Sequence, residues 1–115
     1  MKRGDMYWAN IWPRSGSEQS GKRPVIIISN DGFNSHENWR SIIVVPLTTS
    51  SKQALRGPTS IIIPKGTAEL KKDGVVLCHQ ITTIDRSKLT EFIGHIPRTQ
   101  MIKIEEGIKV AVDLF

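Results

Sequence analysis

Residues 24–48 read "PVIIISNDGFNSHENWRSIIVVPLT", and this stretch decides the fold because it holds two short apolar runs on either side of a polar loop. The runs at 24–29 and 41–48 are rich in Val and Ile, which is typical of strands that are buried on both faces. Pro46 interrupts the second run and has no backbone donor, so we expect an edge, a bulge or a strand end there. The strand should therefore bend just before Thr48.

Four further segments have the same short apolar character. They are residues 5–11 (DMYWANI), 60–64 (SIIIP), 74–82 (GVVLCHQIT) and 91–96 (EFIGHI). Strands that recur at such short intervals predict a mainly β fold built as a compact barrel. The segment 30–40 between the first two runs is expected to be a polar loop.

Two helical signals come late in the chain. Asp85 is predicted to cap a single short turn, and Pro97 to open a longer C-terminal helix. The apolar residues that recur at spacings of three and four in that helix are Met101, Ile104, Ile108, Val112 and Phe115. This pattern predicts an amphipathic helix. Gly107 costs a helix about 1 kcal/mol relative to alanine, so we expect close packing there.

Length and charge bound the class of protein. A chain of 115 residues fits one domain, which we expect to span residues 1–115. A net charge of +5 favours polyanionic partners such as nucleic acid. No apolar run reaches the roughly 18 residues of a membrane span, and the N-terminus does not resemble a secretory signal. We therefore expect a cytoplasmic protein without a membrane association.

The sequence lacks the common catalytic motifs. Cys78 is the only cysteine, which excludes an internal disulfide and a multi-cysteine zinc site, and we expect a small buried thiol. The histidines are scattered at positions 36, 79 and 95, and we expect structural or solvent-facing roles for them. If 74–82 is one strand, His79 and Gln80 point to opposite faces. We predict neither a metal site nor a cofactor.

Polar residues at strand ends are better candidates. Arg23 lies where a hydrophilic loop enters a buried strand, and its guanidinium offers a fork of donors that suits a phosphate. The alternatives are that Arg23 pairs with Glu18 or caps loop carbonyls, and that Thr48 is an ordinary strand-end threonine. Among the tryptophans, Trp8 is expected in the core. Trp12 and Trp39 suit either base stacking or packing.

Four motifs fall in order along nearly the whole chain: "KRGDMYWANI", "GSEQSGKRPVIIISND", "VVPLTT" and "DGVVLCHQITTIDRSKL". With them the sequence resembles the MazF/PemK (Kid) family of toxin endoribonucleases from type II toxin–antitoxin modules. The resemblance implies a homodimer of small SH3-like barrels with short helices. It also implies a metal-independent, sequence-specific mRNA interferase that cuts single-stranded RNA to 2′,3′-cyclic phosphate and 5′-hydroxyl ends. A cognate, MazE-like antitoxin is the implied protein partner.

The resemblance also assigns residues by motif. Arg23 and Thr48 match the catalytic pair. The positions that match the lining of the RNA groove are Ser17, Glu18, Gln19 and Gln80. The chain departs from the family pattern in the first loop, where Trp12 precedes Pro13 and Arg14 follows, so we expect Arg14 to add a positive charge to the substrate site.

The implied chemistry agrees with the residue types. Transphosphorylation needs an aligned 2′-hydroxyl, stabilisation of charge on phosphorus and a proton for the leaving 5′-oxygen. We expect Arg23 to stabilise the charge and Thr48 to orient a phosphate oxygen. The group that removes the 2′-proton stays open between Glu18 and alignment of the substrate alone. The cleaved motif, the class of RNA and the identity of the antitoxin also stay open.

Two rival functions remain at this point. One is a non-catalytic toxin of the same fold that binds DNA gyrase, as the CcdB-like relatives do. The other is a basic barrel that binds single-stranded nucleic acid without cutting it. The three hypotheses differ in a simple assay, because only the enzyme shortens the RNA.

Overall fold

The computed structural model describes residues 1–11, 21–49 and 57–114. In these ranges the chain forms seven strands and two α-helices. They are β1 (Asp5–Ile11), β2 (Gly21–Ile27), α1 (Asp31–Asn34), β3 (Ser41–Thr48), β4 (Ser60–Ile63), β5 (Gly74–Leu77), β6 (Thr82–Asp85), β7 (Leu89–His95) and α2 (Arg98–Ala111). Short 3-10 turns lie at Thr67–Glu69, Cys78–Gln80 and Arg86–Lys88. The prediction of a mainly β fold with short helices and a C-terminal helix is confirmed.

The strands form one antiparallel sheet in the order β4-β5-β3-β2-β1-β7, and β6 also pairs with β3. The turn Arg86–Lys88 joins β6 directly to β7, so the two ends of the β6-β3-β2-β1-β7 portion come together. This closure gives the barrel that the strand spacing predicted. Within the described residues, no helix is long and apolar enough to cross a membrane.

Pro46 lies at a change of partner along β3. On one side it is paired with Val25 of β2. On the other side the ladder to β6 ends at Val44, and the ladder to β5 begins at Leu47. The missing N–H therefore falls beside a gap between two ladders rather than at an edge strand, which explains why a proline is tolerated inside this strand.

The two faces of the sheet bury two separate cores. The barrel core consists of Ala9, Ile11, Val25, Ile27, Ile42, Val44 and Ile84. The helix-side core consists of Met6, Ile26, Val45, Leu47, Ile63, Val76, Cys78, Ile96, Met101 and Ile104. Neighbours along a strand alternate between the two cores, as the side-chain period of two requires. Both faces of β2 and β3 are therefore buried, which is why their runs are continuously apolar.

Helix α2 packs on the sheet through the predicted face, with Met101, Ile104 and Gly107 buried. A methyl group at Gly107 would lie 2.8 Å from Cys78 Sγ and 3.1 Å from Ile61 Cγ1. The expectation of close packing at this glycine is confirmed. Farther along, Val112 is exposed because the helix has ended at Ala111. Phe115 lies outside the described residues.

The predicted strand at 74–82 was wrong in its second half. It divides into β5 and β6, with the turn Cys78–Gln80 between them. The backbone N–H of Cys78 donates to Thr59 O at 2.9 Å, which anchors the turn to a segment distant in sequence. The break lets β5 and β6 pair with different stretches of β3. The argument from strand alternation for His79 and Gln80 therefore does not apply.

The predicted loop 30–40 contains the short helix α1, whose first turn is capped by Asn30 through a bond to Phe33 N. Arg86 organises the rest of this segment. Its guanidinium donates to four backbone carbonyls, those of Phe33, Asn34, His36 and Trp39. One side chain thus ties together four carbonyls of this segment, of which those of Phe33 and His36 also accept from backbone N–H groups. Asp85, which accepts from Ser87 N, caps the adjoining turn as predicted.

Candidate active site

Arg23 lies on β2 at the mouth of the barrel core. It is directly opposite Ala9 of β1, and it faces the same side of the sheet as Val25, two residues farther along. Val25 in turn is paired with Pro46 of β3. Arg23 therefore projects from the barrel-core face, just beyond the last described pair between β2 and β3.

Thr48 reaches the same face from β3. It lies two residues after Pro46, so its side chain shares the face of Pro46 and Val25. The described ladder ends at Val25 and Pro46, and the same register continued by two residues would set Thr48 opposite Arg23. The register therefore sets the two sequence-predicted residues on the same face of adjacent strands.

The surroundings of Arg23 are consistent with a site that is ready to take an anion. Both Arg23 and Thr48 are half-buried. The Nε of Arg23 is shielded from solvent, yet no hydrogen-bond acceptor for it lies among the described residues. A buried donor without a partner costs about 1–3 kcal/mol, and a charged donor costs more. An incoming phosphate oxygen would satisfy this N–H.

The other predicted site residues divide into two groups. Gln80 ends the turn Cys78–Gln80, which packs against β3 and α2, and its side chain is half-buried. This places Gln80 on the β5–β6 side of β3, whereas Arg23 comes from the β2 side. The other four predicted residues lie outside the described ranges; they are Arg14, Ser17, Glu18 and Gln19. The proposed pairing of Glu18 with Arg23 also falls outside them.

The tryptophans occupy three different settings. Trp8 is half-buried rather than part of either core, and the ammonium of Lys22 lies 5.4 Å from its ring centroid. Trp39 is 43% exposed and stacks on Phe33 with ring centroids 4.2 Å apart. The expectation of a core Trp8 was therefore wrong, because the strand carries this residue past the end of the helix-side core. Trp12 lies outside the described residues.

The thiol of Cys78 is buried and unreactive. Cys78 is fully buried, and burial raises the pKa of its thiol to about 11. The thiol donates to the carbonyl of Ile104 at 3.6 Å. Because the thiolate is the reactive form, a buried thiol with this pKa does not act as a nucleophile near neutral pH. The prediction of a small buried thiol is confirmed.

Two of the histidines are engaged in local contacts. His79 Nδ1 lies 3.0 Å from Thr59 Oγ1, and His95 Nδ1 lies 2.8 Å from Asp5 Oδ1. His36 is exposed. Across residues 1–11, 21–49 and 57–114, no three His, Cys, Asp or Glu side chains are grouped in a way that could hold a metal ion.

The carboxylates with lowered pKa values serve structural contacts. Hydrogen bonds from Ser87 and from Arg40 lower the pKa of Asp85. A hydrogen bond from Arg3, and a further one from Arg98, lower the pKa of Glu105 in the same way. These carboxylates hold the loop segment and helix α2 to the barrel.

Comparison with known proteins places this geometry in a family. Residues 2–112 match the family described as "PemK-like, MazF-like toxin of type II toxin-antitoxin system". The chain belongs to this family. The PemK/MazF resemblance seen in the sequence motifs is thereby confirmed.

Individual PemK/MazF relatives match over nearly their whole length. Endoribonuclease EndoA of Bacillus subtilis is 36% identical over 114 residues, which cover 99% of this chain and 96% of the relative. Endoribonuclease MazF of Staphylococcus epidermidis is also 36% identical, with 99% and 92% covered. Among solved structures, MazF of Deinococcus radiodurans superposes with a TM-score of 0.80 at 23% identity, covering 99% of this chain and 97% of that chain. This last similarity supports the fold.

Proposed function

We propose that this chain is the toxin of a type II toxin–antitoxin module and a metal-independent endoribonuclease that cuts single-stranded RNA at short sequence motifs. The observation that supports the proposal is the β2–β3 register, which directs Arg23 and Thr48 to one face of the sheet, together with a buried Nε–H of Arg23 that has no acceptor among residues 1–11, 21–49 and 57–114. Membership of the PemK/MazF family supports the toxin assignment. The endoribonuclease activity is supported by two relatives that are named endoribonucleases.

The proposed reaction is an in-line transphosphorylation. The 2′-oxygen forms a bond to phosphorus, and the bond from phosphorus to the 5′-oxygen breaks. The products are a 2′,3′-cyclic phosphate and a 5′-hydroxyl, so one proton leaves the 2′-hydroxyl and one reaches the 5′-oxygen. No external oxidant, reductant or co-substrate is needed.

Arg23 and Thr48 have different roles in this reaction. Negative charge accumulates on the phosphoryl oxygens as the fifth bond forms, and a guanidinium held at that point stabilises it. A guanidinium keeps its proton in water, so Arg23 suits charge stabilisation and proton donation better than proton removal. Thr48 orients a phosphoryl oxygen. Gln80, Arg14, Ser17, Glu18 and Gln19 are proposed to bind the RNA around this pair.

The partners follow from the same proposal. The substrate is unpaired RNA, because bases can be read and stacked only when they are free of a duplex. We propose a cytoplasmic location, where such RNA is present. A mycobacterial endoribonuclease with this fold was solved in complex with its cognate antitoxin. We propose a similar antitoxin for this chain, together with a homodimeric state and one functional domain over residues 1–115.

The test is cleavage of a long unstructured RNA by purified protein in the presence of EDTA. We expect discrete fragments that carry a 2′,3′-cyclic phosphate by mass spectrometry and a 5′-hydroxyl by kinase labelling. Arg23→Ala should lower kcat by about 10²–10³-fold, the typical loss when a group that stabilises transition-state charge is removed. Arg98→Ala is the matched control, since Arg98 is exposed on α2 and contacts Glu105.

Other outcomes would support the rival functions. Retarded but intact RNA would favour the single-strand-binding barrel. Intact, unbound RNA together with inhibition of DNA gyrase would favour the gyrase-binding toxin. Circular dichroism of Arg23→Ala and Arg23→Lys separates a loss of chemistry from a loss of folding.

A further inference from the structure

Lys22 stands beside Arg23 but on the other face of β2. It is paired with Asn10 of β1, and its side chain is exposed. Because neighbouring strand residues point to opposite faces, Lys22 projects from the outer side of the barrel. Trp8 and Pro24 share this outer face and are paired with each other across β1 and β2.

The ammonium of Lys22 has a defined place on this surface. It lies 5.4 Å from the centroid of the Trp8 ring, within range of a cation–π contact. The described residues provide no carboxylate within salt-bridge distance of Lys22. Most long lysine side chains on a surface sample many rotamers, but this one is held by an aromatic ring, and no carboxylate of the described residues pairs with its charge.

Lys22 and Arg23 are consecutive residues near the start of β2, so the two opposite faces of the strand are close together here. The described ladder between β2 and β3 ends at the pair Val25 and Pro46. Residues 22–24 pair with β1 on one side, and within the described chain no strand is paired to them on the other. Consecutive Cα atoms are about 3.8 Å apart, so when one phosphate of an extended RNA strand binds Arg23, the long side chain of Lys22 can reach a neighbouring phosphate.

We propose that Lys22, held in place by Trp8, binds an RNA phosphate that flanks the scissile one. The inference rests on the proposed nuclease function and extends its substrate site to the outer face of β2. Lys22 binds the substrate directly, whereas Trp8 is a positioning residue that acts through the lysine. Neither touches the reacting atoms, so their loss should raise KM and leave kcat close to that of the wild type.

Salt dependence gives this contact a specific readout. Each phosphate neutralised on a single strand contributes roughly 0.7 to the slope of log affinity against log salt, because counterions are released. Lys22→Met should therefore reduce the magnitude of the slope of log kcat/KM, measured from 50 to 200 mM KCl, by about 0.7. Lys22→Arg should keep the slope, because the positive charge remains.

The matched control is Lys103→Met. Lys103 is exposed on α2, so this variant changes the net charge by the same amount at a distant place. Trp8→Leu should lower the slope as Lys22→Met does, and Trp8→Phe should restore it, because phenylalanine keeps an aromatic face for the ammonium. Thermal melting of each variant checks folding.

Equal slopes for Lys22→Met and Lys103→Met would overturn the inference while leaving the proposed nuclease function intact. If the wild-type protein cuts no RNA, the proposed function fails on its own. The same variants are then compared by fluorescence anisotropy with a labelled oligoribonucleotide of mixed sequence. If Lys22→Met left the slope of log affinity against log salt unchanged in that assay, the inference would also be overturned.

Discussion

Replacing Gly107 by alanine sets two energies of similar size against each other. In an exposed helix interior the change stabilises by about 1 kcal/mol, because alanine loses less backbone entropy than glycine. At Gly107 the new methyl group would lie 2.8 Å from Cys78 Sγ and 3.1 Å from Ile61 Cγ1. Overpacking a core by one methyl group typically costs about 1–3 kcal/mol. We therefore expect Gly107→Ala to lower the free energy of unfolding by up to about 2 kcal/mol.

The sulfur atom is the decisive neighbour in this prediction. Cys78 is fully buried in the helix-side core, so its side chain cannot turn toward solvent to make room. Cys78→Ala removes the sulfur, and a methyl group at position 107 then partly fills the space it leaves. Gly107→Ala should therefore be less destabilising in the Cys78→Ala background than in the wild type, by about 0.5–2 kcal/mol of coupling energy.

Urea denaturation followed by circular dichroism measures all four proteins of this double-mutant cycle. A reduced midpoint with an unchanged denaturant slope would identify a change in stability alone. If Gly107→Ala were more stable than the wild type by the full helix-propensity gain, the close approach of α2 to the turn Cys78–Gln80 would be refuted. A coupling energy of zero would show that the sulfur of Cys78 does not obstruct a methyl group at position 107.

Two further predictions concern charged side chains. Hydrogen bonds from Arg3 and Arg98 lower the pKa of Glu105, so its contribution to stability is complete above the pKa of an unfolded-state glutamate and is lost as pH falls through the lower folded-state pKa. Urea titrations should thus show the stability advantage of wild type over Glu105→Gln shrinking from pH 6 to pH 3, and a constant difference would contradict this. Arg86→Ala removes the hydrogen bonds that Arg86 donates to four carbonyls, two of which keep a backbone donor, and should destabilise by roughly 1–3 kcal/mol, with Arg86→Lys recovering only part. Thermal melts equal to wild type for both would refute that role.

The sequence was informative where structure is locally determined. The bounds of β1 and β3 are those of the runs at 5–11 and 41–48, because β-branched and aromatic residues disfavour other conformations within the segment itself. The buried face of α2 follows from spacings of three and four in the same way. Gly107 was identifiable because a glycine inside a helix costs free energy that packing must offset.

Non-local contacts explain where sequence patterns failed. The run at 74–82 has the composition of one strand, but a bond from Cys78 N to Thr59 O anchors a turn in the middle of it. Trp8 has the character of a core residue, yet its strand extends beyond the core that would cover it. The role of Arg86 also leaves no sequence signal, because its four acceptors come from a segment more than forty residues earlier.

The sequence by itself determined most of the strands, the helix face, the positive charge and the residue types of the site, since each of these depends on neighbours along the chain. Only the tertiary structure decided that Arg23 and Thr48 share one face of adjacent strands. The reason is that strand register is set by which side chains each face buries: moving β3 by one residue against β2 would exchange the two cores and turn Thr48 away from Arg23.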